Sequence, residues 1–215
     1  MSTVYDCALP ERRSAGLTAA AAAIRARQLV VLPTDTVYGL GCDAFSSTAV
    51  QGLLDAKSRG RDMPVPVLVG SWSTVDGLVL GVPARARTLI EAFWPGGLSL
   101  VLPHASSLSW DLGDTRGTVM LRMPLHPVAL ELLREVGPMA VSSANRSGFP
   151  PATTVEQARE QLAERVPVYL DAGTAGGVAS TIVDLTSDDP VVLREGAVTA
   201  AQIGEVLGLT IEVVR

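Results

Sequence analysis

Three short segments concentrate side chains able to hold a small charged molecule. Residues 33–45, PTDTVYGLGCDAF, follow the apolar run LVVLP and bring two threonine hydroxyls, a carboxylate, a tyrosine and two glycines together. Hydroxyls and backbone amides fix a carboxylate or hydroxyl, and glycine permits close backbone approach, although the same residues also build tight turns. Lys57-Ser58-Arg59-Gly60-Arg61 sets Lys57, Arg59 and Arg61 at a predicted helix end. Guanidinium forks grip oxygen pairs and a lysine acts as a mobile point charge, which suits a polyphosphate; cations there also complement a helix dipole on a solvated face. Lys57 is the single lysine among 17 lysines and arginines, in a chain that otherwise uses arginine for positive charge. The third segment, Ser142-Ser143-Ala144-Asn145 with Arg146-Ser147-Gly148-Phe149-Pro150 after it, leaves the strand PMAV. Its hydroxyls and amide suit phosphate oxygens, a base or a ribose, and are equally ordinary loop residues. Arg122 ending a strand, Ser180-Thr181 opening one and Arg194 closing another supply further donors. Taken singly, an arginine is by default a surface charge.

What accompanies these donors narrows the chemistry. No Ser-His-Asp set and no spaced carboxylate pair is present to act as nucleophile or as acid and base. Anion donors without such groups point to catalysis by positioning and charge stabilisation, as in phosphoryl or nucleotidyl transfer. No G-x-x-x-x-G-K-[ST] motif occurs, and Gly39-Leu40-Gly41 lacks the third glycine and helix pattern of a dinucleotide fingerprint. Neither His104 nor His126 has a partner at ligand spacing, so no protein-built metal site is expected.

The elements that must position these residues alternate along the chain. The spacing predicts helices over 14–27, from Ser46 or Ser47 to near Lys57, from about Pro83 to Ala92, and over 126–136. Pro83 suits a first helical position, and Thr154 with Gln157 and Thr199 with Gln202 have the spacing of capping boxes opening two later helices. Strands are predicted at 29–33, 65–69, 98–102, 118–123, 138–143, 167–171, 180–185, 191–194 and 210–214. This is an α/β pattern, and because some strands connect without a helix the sheet should mix parallel and antiparallel pairs. No linker or compositional shift divides residues 1–215, so one domain is expected.

Composition bounds the remaining possibilities. With 215 residues, 47% hydrophobic and 18% charged, the chain has the makings of a sizeable core and the profile of a soluble globular protein. A net charge of −5 removes the broad basic field of non-specific nucleic-acid binders, so any RNA contact must be local. Cys7 and Cys42, the only cysteines, offer no disulfide framework, and no apolar run is long enough for a signal peptide or a membrane span. A cytoplasmic location is the expectation.

The motifs, in order, resemble the YrdC-like family: PTDTVYGLGCDAF, Lys57-x-Arg59, WPGGLSLVL at 94–102, Arg122-Met123-Pro124 with His126-Pro127, Ser143-x-Asn145, STIVD at 180–184 and LREGAV at 193–198. The similarity covers about residues 15–207. It implies a twisted mixed sheet with flanking helices around a concave basic cavity. It also implies condensation of L-threonine, bicarbonate and ATP into threonylcarbamoyl-AMP with release of pyrophosphate. Partner proteins would then pass the activated group to the tRNA adenosine beside the anticodon, with direct tRNA contact an open matter. By the same resemblance Thr34 and Arg122 would hold threonine, with Ser180, Thr181 and Tyr38 closing that pocket. Lys57 and Arg59, with Arg61, would grip the ATP phosphates as the catalytic cations, and Thr118, Ser142, Ser143, Asn145 and Arg194 would place the adenylate. Magnesium would arrive with ATP. Removing Lys57 is then expected to abolish turnover without loss of core volume. Where many relatives have proline after Lys-x-Arg this chain has Gly60, and it is similar to the short, single-domain members. The alternative within the family is a paralogue that binds nucleotide or RNA without synthase activity.

Overall fold

A computed structural model describes residues 2–214. In chain order the elements are β1 (Thr3–Asp6), α1 (Pro10–Arg25), β2 (Val30–Leu32), β3 (Gly39–Asp43), α2 (Ser47–Lys57), β4 (Val67–Leu68), α3 (Ala84–Phe93), β5 (Leu98–Pro103) and β6 (Thr118–Arg122). They continue as α4 (Pro127–Val136), β7 (Met139–Ser143), α5 (Val155–Leu162), β8 (Val168–Asp171), β9 (Thr181–Asp184), β10 (Val191–Arg194), α6 (Ala200–Leu207) and β11 (Glu212–Val213). All the strands join one open sheet in the order β1-β8-β2-β3-β7-β4-β6-β5-β9-β10-β11. Parallel pairs such as β4 with β6 and β5 with β9 stand beside antiparallel pairs such as β3 with β7 and β5 with β6, so the sheet is mixed as expected.

Period-2 alternation sorts the strand side chains onto two faces. Val30, Leu32, Met139, Val141, Val168 and Leu170 pack with Ile24 of α1 and Leu132 of α4. Their intervening neighbours Val31, Ala140 and Tyr169 pack on the opposite face with Leu53 of α2, Leu89 of α3, Leu162 of α5 and Ile203 of α6. Leu98, Leu100, Leu102, Val119, Leu121 and Val183 lie on that second face too, so the alternate residues Ser99, Met120, Arg122 and Ile182 turn to the face shared with α1 and α4. The α1 and α4 layer packs on residues of β2, β4, β7 and β8, and the polar positions of β5, β6, β9 and β10 lie beside it as the floor of a cleft.

Several local expectations need correction. The segment 33–45 is not one loop, because Gly39–Asp43 is a strand deep in the sheet. Its glycines carry no turn there: a Cβ on Gly39 would sit 2.6 Å from Val141 Cγ1, and one on Gly41 would sit 2.8 Å from Met139 Cε. Close packing against β7 therefore disguises a strand as a glycine loop. α1 begins at Pro10 rather than residue 14, with proline in its first turn. Pro83 precedes α3 with extended backbone at the N-cap instead of occupying the first helical position. Thr199 and Gln202 complete a capping box, whereas Gln157 Oε1 accepts from Thr153 N at 2.8 Å, so only the Thr154 half of the earlier box forms. Strand β1, pairing with β8, had no counterpart in the periodicity reading.

Candidate functional site

The cleft draws its walls from segments far apart in sequence, and Thr34, Thr36, Tyr38, Arg59, Ser99, Arg122, Ser142, Ser143, Ser180 and Arg194 all line it. Among the described residues no Asp or Glu side chain lines it.

Of the three arginines lining the cleft Arg122 is the most deeply placed, 6% exposed at the end of β6. Its Nε donates to Gly96 O at 2.8 Å, Nη1 to Thr36 Oγ1 at 2.8 Å, and Nη2 to Asp35 Oδ1 at 2.6 Å. A guanidinium carries five N–H groups in a rigid fork, so donors remain for a ligand anion. Burial pulls its pKa down, and the Asp35 charge pushes it back up. The loop between β2 and β3 is fixed around this centre: Thr34 Oγ1 donates to Val37 O at 2.7 Å and accepts from Thr36 N at 3.2 Å. Such a side chain-to-backbone turn holds Asp35 and Thr36 against the arginine.

Arg194 enters from β10, where the register with β9 shifts between Val192 and Arg194. Nε and Nη2 both donate to Ser180 O, at 3.1 and 2.6 Å, and Ser180 Oγ lies 3.0 Å from Ser99 Oγ. On the other wall Arg59 donates to Met63 O at 2.8 Å, Pro64 O at 3.1 Å and Ser142 Oγ at 3.1 Å. Burial lowers the pKa of both arginines.

Lys57 is placed otherwise than the sequence suggested. It is not a mobile charge on a loop: its side chain is 2% exposed in the last turn of α2, and Nζ donates to Ser143 O, to Asn145 O at 2.6 Å and to Asn145 Oδ1 at 3.3 Å. An ammonium has three protons, and these three oxygens take them all. Asn145 Nδ2 in turn donates to Phe149 O at 2.7 Å, so the cation and the amide together staple the loop after β7. Burial first and the Arg59 charge second push the Lys57 pKa down to about 7. The expectation that loss of Lys57 spares buried volume therefore fails, because the side chain is almost fully buried.

Four further expected residues lie outside the cleft lining. Arg61 is exposed and pairs with Asp111 at 2.5 Å. Thr118 Oγ1 closes a turn on Thr115 O at 2.8 Å. Thr181 Oγ1 donates to Val198 O and accepts from Gly196 N and Val198 N at 2.8 and 3.0 Å, tying down the segment after β10. Asn145 serves Lys57 as described. Tyr38 is one of the lining residues but its side chain is fully buried, and its hydroxyl donates to Gly173 O at 2.6 Å and accepts from Ala172 N at 3.0 Å. Conversely, Asp35, Thr36 and Ser99 are site residues that were not singled out. Ser99 carried a signal, since it interrupts the buried leucines of LSLVL at a position facing the opposite side.

Residues 22–196 match the protein family Sua5_yciO_yrdC, described as "Telomere recombination". The chain belongs to this Sua5/YciO/YrdC family. A Mycobacterium tuberculosis relative called "Putative threonylcarbamoyl-AMP synthase" is 66% identical over 210 residues, 97% of each chain. The Bacillus subtilis threonylcarbamoyl-AMP synthase is 42% identical over 192 residues, 88% of this chain and 56% of that protein. The fold superposes on the crystal structure of P. abyssi Sua5 complexed with L-threonine with TM-score 0.92 at 34% identity, covering 100% of this chain and 62% of that one. The chain thus spans little more than half of the longer Sua5-type relatives and nearly all of the mycobacterial one.

Proposed function

We propose that this chain is an L-threonylcarbamoyladenylate synthase, a nucleotidyltransferase that makes threonylcarbamoyl-AMP and pyrophosphate from L-threonine, bicarbonate and ATP. The observation that carries this reading is a cleft bearing Arg59, Arg122 and Arg194 without a carboxylate on its walls, in a chain so close to the mycobacterial relative. Such a cleft suits substrates that each carry an anionic group: the threonine carboxylate, bicarbonate and the phosphates of ATP.

Chemically, the threonine amine condenses with bicarbonate to a carbamate with loss of water, and a carbamate oxygen attacks the α-phosphorus of ATP. The P–O bond to pyrophosphate breaks as the new bond forms. No side chain needs to become a covalent nucleophile, so the protein's work is alignment and neutralisation of the charge that builds on pyrophosphate. Arg122, held by Thr36 and backed by Thr34, is assigned to the threonine carboxylate. Arg59, with Ser142 and Ser143 beside it, is assigned to the phosphates, and Arg194 with Ser180 to the far wall where the adenylate rests. Lys57 and Asn145 shape the Ser142–Ser143 wall from behind, and for Lys57 to reach a phosphate its ammonium must release one of its three oxygens.

Magnesium belongs to this reading as the ion that ATP carries. Among the described residues no cluster of three or more His, Cys, Asp or Glu could hold a metal, and the arginine and hydroxyl donors of the cleft do not form an oxygen cage. Transfer of the threonylcarbamoyl group to tRNA by downstream proteins, in the cytoplasm where ATP and tRNA meet, completes the proposal. No described helix is long and apolar enough to cross a membrane. The test is pyrophosphate release by the purified protein with ATP, magnesium and bicarbonate, with and without L-threonine; release independent of the amino acid contradicts the assignment.

A further inference from the structure

Arg122 is a buried cation whose aim must be set by something, and the loop between β2 and β3 supplies its charged partner. Among the described residues Asp35 is the only carboxylate in an ion pair with it, at 2.6 Å, with side chains 18% and 8% exposed respectively. A guanidinium removed from water is costly unless a partner with good geometry compensates it. Asp35 Oδ1 has a second bond, accepting from the backbone N of Leu125 at 2.9 Å. One oxygen thus joins three parts of the site: its own loop, the fork of Arg122, and the Met123–His126 turn that leaves β6 for α4.

The remaining contacts of the fork show what this carboxylate decides. Nε donates to Gly96 O and Nη1 to Thr36 Oγ1, both neutral acceptors, so among the described residues Asp35 at Nη2 is the one charged acceptor that holds the fork. The geometry points to Asp35 as a positioning residue for threonine capture: it aims the free N–H groups of Arg122 into the cleft and clamps the Leu125 turn beside them. This inference rests on the threonylcarbamoyl-AMP synthase reading and adds to it a residue that does not itself line the cleft. Asp35 also lowers the net charge that Arg122 presents, so the site holds an amino acid carboxylate without binding every anion equally.

The effect must therefore appear on one substrate. Asp35→Asn keeps size and one acceptor for Leu125 N but loses the charge, and Asp35→Glu keeps the charge and shifts its position. We expect Asp35→Asn to raise the KM for L-threonine by roughly tenfold or more while the KM for ATP moves less than about threefold, with Asp35→Glu between wild type and Asp35→Asn. Circular dichroism and melting of each variant show whether the fold is kept, and calorimetric binding of L-threonine to wild type and Asp35→Asn gives a readout that does not need turnover. An active wild type with Asp35→Asn unchanged in threonine KM overturns the positioning role and leaves the synthase reading standing. Equal loss toward threonine and ATP also overturns it, in favour of a general structural role. A wild type that neither turns over nor binds threonine overturns both.

Discussion

Arg122 and Lys57 are both buried cations beside the same cleft, and the protein handles them in opposite ways. Arg122 spends part of its fork on Gly96, Thr36 and Asp35 and keeps donors facing the cavity it lines. Lys57 gives all three protons to Ser143 and Asn145 and does not line the cavity. The difference follows from the two side chains: a planar fork can be anchored on one edge and still present another, whereas an ammonium fully coordinated by three oxygens presents nothing. A buried cation in such a site is thus either a hand for the ligand or a fastener for the wall, and the N–H donors left over after its internal bonds tell which.

Lys57→Met should break the comparison most severely. It leaves the Asn145 carbonyl without its donor and the Ser143 carbonyl with only the Asn145 N–H, costing roughly 2–4 kcal/mol of stability and loosening the Ser142–Ser143 wall, so activity toward every substrate falls by about a hundredfold or more. Denaturant unfolding and steady-state kinetics check both halves; an undiminished stability would remove Lys57 from the role of fastener. Arg122→Ala should come next, with threonine KM raised by roughly a hundredfold and ATP affected far less, as expected when one partner of a charged hydrogen bond is removed. Equal loss for both substrates would deny that Arg122 serves the amino acid. Arg59→Ala should show the reverse selectivity, raising the KM for ATP by about tenfold or more with threonine less affected. Arg61→Ala should change kinetics by less than about twofold, because an exposed ion pair outside the cleft contributes little.

The depressed pKa of Lys57 gives a comparison in pH. Burial, with the Arg59 charge second, lowers the pKa of this group in the fold to about 7 from its ordinary value of 10.5. Between those values the unfolded state binds more protons, so this group's contribution to stability grows as pH rises from about 7 and is lost as pH falls through it. The melting-temperature advantage of wild type over Lys57→Met should therefore widen from pH 6.5 to pH 9, and an advantage that narrows would contradict a lowered pKa.

Much of the architecture was legible in the sequence because period-2 and helical patterns act locally. The β5, β6 and β7 strands and the α2 and α4 helices lie where alternation, caps and proline placed them. β3 was hidden because Gly39 and Gly41 are small for the sake of Val141 and Met139 on the neighbouring strand, a requirement that no local rule contains. The site divided along the same line. Arg122, Ser180 and Arg194 announced themselves as polar residues at strand ends, and they converge. Lys57 and Asn145 carried equally strong chemical signals but face each other, 88 residues apart in sequence, and that pairing is visible only once α2 and the β7 loop are packed. Asp35 stood inside a motif already noted, yet its task depends on Arg122 and Leu125, 87 and 90 residues away.

The most direct test of the account is pyrophosphate release by the wild-type protein with ATP, magnesium and bicarbonate, comparing L-threonine, L-serine and no amino acid. The cleft described here predicts release that requires both bicarbonate and an amino acid and favours L-threonine. Release without an amino acid, or none from protein shown to bind ATP, would contradict it.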